Sequence, residues 1–436
     1  MEFLQRNDKN YDELLVNWHE NVVEWTRNEL REVQRAVKQN TSVHSLQVDA
    51  SSLLPVDDQD DRADMVASII QNFNHVIKFH IGCADAPDEQ ILAQAATVVD
   101  KLLFGIINSR SAVTDFVTAL PGGPRAIVDF AERFPSIDTF QLGYLEFPCS
   151  LPRDFAISLA AAFIRWTTLE CVQVLCRAPS HIEIARVLTG LHAAPVLNQV
   201  TLGLFDGGDT ESTVLLLQDA GLLCSANKTI TSFLICGAYE NDNKASISSF
   251  LNFPGTFSPS LKSLCFENCE LPGIETWYEA AGKLQAITTL KLKACDFAAA
   301  DENDSTLMCM LLERMPQLHE FHLKAARDIG GEIVAPPSAM KTDGDLQRLC
   351  ETVSNHGMLQ HVELDLVNDG DNRSFPAIQT LLRNCKGTLA LTCARLSWIN
   401  GDFVCRGLEL MSGDLKCLGL RFCGCEVDDD DFARFF

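Results

Sequence analysis

LKSLCFENCEL, residues 261–271, is the stretch whose spacing decides how this chain folds. Its apolar or small residues fall at places 1, 4, 6, 9 and 11, as Leu261, Leu264, Phe266, Cys269 and Leu271. Alternation around Leu264 and Phe266 suits a strand that buries one face, and Cys269 suits a tight turn out of it. The same spacing returns in ITTLKLKACDF, residues 287–297, with Ile287, Leu290, Leu292, Cys295 and Phe297. It returns again in LKCLGLRFCGC, residues 415–425, with Leu415, Leu418, Leu420 and Cys423. Weaker copies start at Val43, Val76, Ile137, Leu169, Leu197, Ile230, Leu318, Leu359 and Lys386, and a degenerate one at Val113. Self-similarity along nearly the whole chain marks a solenoid.

Steps of 24 to 41 residues between copies leave room for a helix in each repeat. RDFAISLAAAFIRW (153–166), STVLLLQDAGLLCSA (212–226) and FPAIQTLLRNC (375–385) have the broad apolar faces of such helices, each ahead of a strand copy. An L-x-x-L-x-L-x-x-N/C-x-L strand alternating with a helix resembles the ribonuclease-inhibitor-like branch of the leucine-rich-repeat family, over about residues 40–436. The resemblance implies an α/β solenoid, a curved horseshoe with parallel strands on the concave face and helices on the convex face. Its repeats, about 12–13 and irregular in length, would fill residues 41–436, the last of them incomplete. Large loops are expected at 51–64, 296–305 and 326–344, and EVDDDDFARFF at the end reads as a helix cut short.

Residues 1–40 lack the repeat. There Leu14, Leu15, Trp18, Val22, Trp25, Leu30, Val33 and Val37 make an amphipathic helical pattern, which predicts a helical N-terminal cap over the first repeat. MEFLQRNDKNYDELL has no basic end followed by an apolar block, so no secretory leader is expected. Apolar runs such as 91–107 are broken by charge, so no membrane span is expected either. Seventeen cysteines scattered through apolar segments then read as reduced thiols of a cytoplasmic or nuclear protein. A net charge of −24 argues against nucleic acid and anionic membrane as partners.

Catalytic signatures are missing: there is no phosphate loop, G-x-S-x-G elbow, H-E-x-x-H pair or kinase motif. No cofactor and no enzyme activity are expected. Cys417, Cys423 and Cys425, and the pair Cys265 and Cys269, lack the converging C-x₂₋₄-C pairs of a zinc site. Cys269, Cys295 and Cys423 instead hold the repeat's own turn position, where core packing explains them. The acidic runs 57–64 and 428–431 lack calcium-loop spacing and read as solvated loops.

Period-two alternation sends places 4 and 6 of each copy inward and places 3, 5 and 7 to the opposite, solvent-facing side, where this family most often holds its ligands. From the copy at 169 to that at 230 this face is nearly uncharged, with Cys171, Gln173, Leu175, Gln199, Thr201, Gly203, Ser232, Leu234 and Cys236. It then becomes charged: Glu267, Lys291, Lys293, Glu320, His322, Lys324, His361 and Glu363. Lys291, Lys293 and Lys324 predict a basic patch suited to an acidic or phosphorylated segment of a protein partner. His322 and His361 fall on neighbouring strands, where two solvent-facing side chains are a simpler expectation than a metal site. The function these features imply is a non-enzymatic protein-interaction scaffold. The alternatives are an adaptor of ubiquitin ligation or signalling with its effector region outside the chain, and a GTPase-activating protein, for which no local sequence nominates a catalytic arginine.

Overall fold

The computed structural model describes residues 13–16, 27–54, 61–83, 89–143, 149–205, 211–237, 244–297, 304–327, 333–335, 343–367, 375–394, 411 and 413–423. Two compact units, Met1–Leu223 and Cys224–Phe436, divide the chain.

In the first unit the strands are β1 (Glu13–Val16), β2 (Ser45–Asp49), β3 (Lys78–Gly82), β4 (Asp115–Thr118), β5 (Thr139–Leu142), β6 (Cys171–Arg177) and β7 (Gln199–Phe205). Each pairs in parallel with the next. Between them run α1 (Arg27–Gln39), α2 (Arg62–Ile70), α3 (Glu89–Ile107), α4 (Pro124–Arg133), α5 (Arg153–Arg165) and α6 (His181–Leu191). Helix α7 (Glu211–Ala226) follows β7.

The second unit repeats the plan with β8 (Ser232–Gly237), β10 (Ser263–Glu267), β12 (Thr289–Lys293), β14 (Glu320–Lys324), β17 (His361–Val367), β18 (Gly387–Ala394) and β19 (Leu415–Cys423), again parallel and in chain order. Its helices are α8 (Ser248–Leu251), α9 (Ile274–Ala281), α10 (Asp304–Arg314), α11 (Asp343–Asn355) and α12 (Phe375–Asn384). Short strands β9 (Ala245–Ser246), β11 (Cys269–Leu271) and β13 (Asp296–Phe297) form a second parallel ladder just past β8, β10 and β12. A parallel strand must be reached by a crossover, and one helix per crossover on one side of the sheet is the architecture of a leucine-rich-repeat solenoid.

The inward places fill the core. Leu264 and Phe266, Leu290 and Leu292, Phe321 and Leu323, and Val362 and Leu364 are all buried. In the first unit the stacked repeats align aromatic rings: Phe116 lies 4.5 Å from Phe130 and 5.7 Å from Phe140, and Phe140 lies 5.3 Å from Trp166. Each such ring contributes about 1.5–3 kcal/mol by burial and roughly 0.5–1.5 kcal/mol more from ring–ring geometry.

Helices turn into strands by a local device at two places. Oδ1 of Asn40 accepts from the amides of Ser42 and Val43, and Oδ1 of Asn227 from those of Thr229 and Ile230. Each closes the turn and gives a buried amide, that of Val43 or Ile230, an acceptor. On leaving the strand, the thiol of Cys295 lies 3.3 Å from the carbonyl oxygens of Phe266 and Lys293, and that of Cys269 lies 3.2 Å from the Glu267 carbonyl. Both are buried in the repeat's turn position. Cys83, Cys149, Cys176, Cys224, Cys236, Cys265, Cys269, Cys295, Cys309, Cys350 and Cys385 are buried free thiols, whereas Cys171 is half-buried and Cys417 exposed.

Several expectations need correction. The helix read through Leu14 to Val37 is divided: Glu13–Val16 is strand β1, and the helix begins at Arg27. A short apolar run carries no decisive periodicity, and the free edge of β2 offers it a ladder. The expected loop at 326–344 contains an antiparallel pair, β15 (Ala326–Arg327) with β16 (Ile333–Ala335). That at 296–305 holds β13 and the start of α10, and that at 51–64 holds a 3₁₀ turn at Ser51–Leu53 and the start of α2. The truncated helix expected at EVDDDDFARFF lies outside the described residues. Among the described residues no helix is long and apolar enough to cross a membrane.

Candidate interaction face on the sheet

Places 3, 5 and 7 of the second unit line up in three rows across the strands. Ser232, Ser263, Thr289, Glu320 and His361 are Cα partners in the first row. Leu234, Cys265, Lys291, His322 and Glu363 form the second, and Cys236, Glu267, Lys293 and Lys324 the third. All eight residues singled out from the sequence (Glu267, Lys291, Lys293, Glu320, His322, Lys324, His361 and Glu363) therefore stand on one side of four adjacent strands.

Their charges do not form a basic patch. Lys291 Nζ lies 3.0 Å from Glu320 Oε1, Lys293 Nζ 3.4 Å from Glu267 Oε2, and Lys324 Nζ 2.9 Å from Glu363 Oε1. Strands about 4.8 Å apart bring each long side chain within reach of the next strand, and opposite charge decides which neighbour it meets. The pair Lys293 and Lys324, Cα partners as the register implies, is held apart because each ammonium turns to a different carboxylate. The face is a ladder of paired charge.

His322 sits at its centre and, against expectation, is buried, with 7% of its surface exposed. Its Nε2 lies 2.6 Å from Glu320 Oε1 and its Nδ1 2.7 Å from Glu363 Oε2. The ring of His361 stacks on it, centroids 5.1 Å apart. Burial, joined by the Lys291 ammonium, pulls the His322 imidazole below its ordinary value, against the upward pull of Glu320 and Glu363. Burial also works to raise Glu320, yet Lys291 and His322 outweigh it and hold the carboxyl below the usual range. Glu363 is held down in the same way by Lys324, His322 and His361, again against burial. Burial works downward on Lys293, but Glu267 and the neighbouring thiols leave it raised. Cys265, expected on the solvent side, is buried and its thiol is pushed up to about 11 by burial.

Asp365, at place 7 of its strand, is also buried, and its Oδ2 accepts from the amide of Ala325 3.3 Å away. The small residue at 325 in the sequence is the one hint of that close approach. In the first unit the outward residues Leu175 and Gly203 are buried Cα partners, while Gln173 and Gln199 keep partial or full exposure. Among the described residues, Glu320, His322 and His361 bring ligand atoms within 4.8 Å of one another.

No protein-family model matches the chain, and no curated protein matches it. Among solved structures it is similar to an internalin, InlF, from Listeria monocytogenes, with 11% identity, a TM-score of 0.35, and coverage of 85% of this chain and 79% of that one.

Proposed function

We propose that this chain is a non-enzymatic interaction module that holds a protein partner on the outward face of β10, β12, β14 and β17. The alternation of strand and helix supports placing it in the ribonuclease-inhibitor-like branch of the leucine-rich repeats. The observation that carries the reading is the charge ladder. Three lysines and three glutamates, all ion-paired across neighbouring strands, are fixed on a rigid sheet in a molecule of net charge −24. Such a face is locally neutral, so an acidic or phosphorylated segment finds no unpaired ammonium cluster there. It suits a partner with a mixed strip, whose acids meet Lys291, Lys293 and Lys324 while its bases meet Glu267, Glu320 and Glu363. Complementarity of this kind acts chiefly on specificity and association rate. The compartment we propose is cytoplasmic or nuclear, in keeping with its buried free thiols.

The test is quantitative capture from native extract with the wild-type chain, the Lys291→Glu/Lys293→Glu double variant, and Arg125→Glu on α4 as a control. Partners of the sheet face disappear with the double variant and persist with the control. An unchanged partner set for the folded double variant at every ionic strength removes this face from consideration.

A further inference from the structure

Glu320 and His361 are Cα partners on β14 and β17, and His322 follows Glu320 by two residues on the same side of β14. Three potential ligands thus stand at the corners of a small triangle on two hydrogen-bonded strands, a support more rigid than a loop. Their ligand atoms lie within 4.8 Å of one another. Zinc bonds of 2.0–2.1 Å require tetrahedral edges of roughly 3.3 Å, a closure that side-chain rotation can supply.

The surroundings of His322 point the same way. Both ring nitrogens face carboxylate oxygens, at 2.6 and 2.7 Å. A neutral imidazole has one N–H and one lone pair, so it can donate to only one of them. If Nδ1–H donates to Glu363, the Nε2 lone pair faces Glu320 Oε1, and two lone pairs are set against each other. A cation between Nε2 and Oε1 removes that conflict. The Glu363–His322 contact is then the carboxylate–histidine arrangement that orients a metal-bound imidazole, and Lys324, 2.9 Å from the other Glu363 oxygen, steadies it.

We propose that Glu320, His322 and His361 form a binding site for a divalent transition-metal ion of the zinc class, with Glu363 as the orienting carboxylate. Two imidazoles and one carboxylate suit zinc or cobalt better than calcium or magnesium. Three protein ligands leave a fourth position open to water or to a group from a partner. Lys291 competes for the same oxygen of Glu320 and must turn aside when the ion binds. The site does not depend on the partner-binding reading of this face.

The test is a Co²⁺ titration of the full, chelator-treated, reduced chain, followed by visible absorption and by displacement with Zn²⁺. The expected result is one Co²⁺ per chain with ligand-field bands and no thiolate charge-transfer band. Loss of a carboxylate that orients a metal-bound histidine commonly costs about 10–100-fold in metal affinity. Glu363→Gln is expected to weaken Co²⁺ binding within that range, and His361→Gln at least about tenfold. Cys417→Ser leaves binding unchanged, and circular dichroism shows that the variants fold. Absence of ligand-field bands, a dominant thiolate band, or unaltered affinity in folded His361→Gln each overturns the site.

Discussion

Replacing Gly143 by alanine should cost about 2–3 kcal/mol although it adds only a methyl group. Gly143 follows β5 with φ +79°, and its amide donates to the Thr118 carbonyl on β4 at 2.7 Å. A Cβ built there would lie 2.1 Å from the carbonyl oxygen of Leu175 on β6, closer than real Cβ atoms come to any neighbour. The left-handed conformation costs a non-glycine residue roughly 1–2 kcal/mol. The contact is with backbone, so no rotamer relieves it. The strands must open by about 1 Å, weakening one or two ladder hydrogen bonds worth about 0.5–1.5 kcal/mol each. Against this, alanine restricts the unfolded chain and recovers about 0.4–1 kcal/mol. The net loss is roughly 0.5–4.5 kcal/mol, centred near 2–3 kcal/mol. Urea unfolding followed by tryptophan fluorescence and far-ultraviolet circular dichroism measures it. Gly357→Ala is the control, because its Cβ meets nothing within 4 Å and should change stability by less than about 1 kcal/mol. If Gly143→Ala is no less stable than the Gly357→Ala control, or lies within about 0.5 kcal/mol of wild type, the close approach of β5 and β6 is wrong.

Three further outcomes are expected. Trp166→Ala removes a fully buried ring that touches Phe130, Phe140 and Phe163, and should destabilise by about 3–5 kcal/mol in urea melts; a loss under 1 kcal/mol contradicts the aromatic core. A double-mutant cycle of Lys324→Met with Glu363→Gln should give a coupling of about 0.5–1 kcal/mol at 0.1 M salt, because these side chains are only 28% and 25% exposed. In roughly 1 M salt the coupling should fall, and a coupling insensitive to salt argues against an ion pair. Burial lowers the His80 imidazole to about 4, so the folded chain resists a proton that the unfolded chain takes up near pH 6.5. Its contribution is therefore complete above pH 6.5 and is lost as pH falls toward 4, by roughly 1–2 kcal/mol after allowance for partial exposure. His80→Gln should flatten stability across that window, and an unchanged pH slope excludes His80 as its source.

The repeat itself was legible because its information is local. Leu264 and Phe266 alternate within five residues, and the same alternation returns at 290 and 292, so strand, inward face and register follow from counting. Expected helices at 153–166, 212–226 and 375–385 match α5, α7 and α12 to within a residue at each end, since their apolar faces recur over three turns or more. The eight residues of the candidate site were likewise found by place number alone. What they do to one another was not. Lys291 reaches Glu320, Lys324 reaches Glu363, and Lys293 turns back to Glu267, all residues more than twenty-five positions away. Those choices depend on the lateral spacing of strands and on long flexible side chains selecting among several neighbours, and neither is written in any one repeat. Burial of His322 has the same origin: place 5 points outward by local geometry, and only the packed ladder around it excludes water. The local code determined which residues share a face; long-range packing and electrostatics decided that the face is neutral, paired and centred on a histidine between two carboxylates.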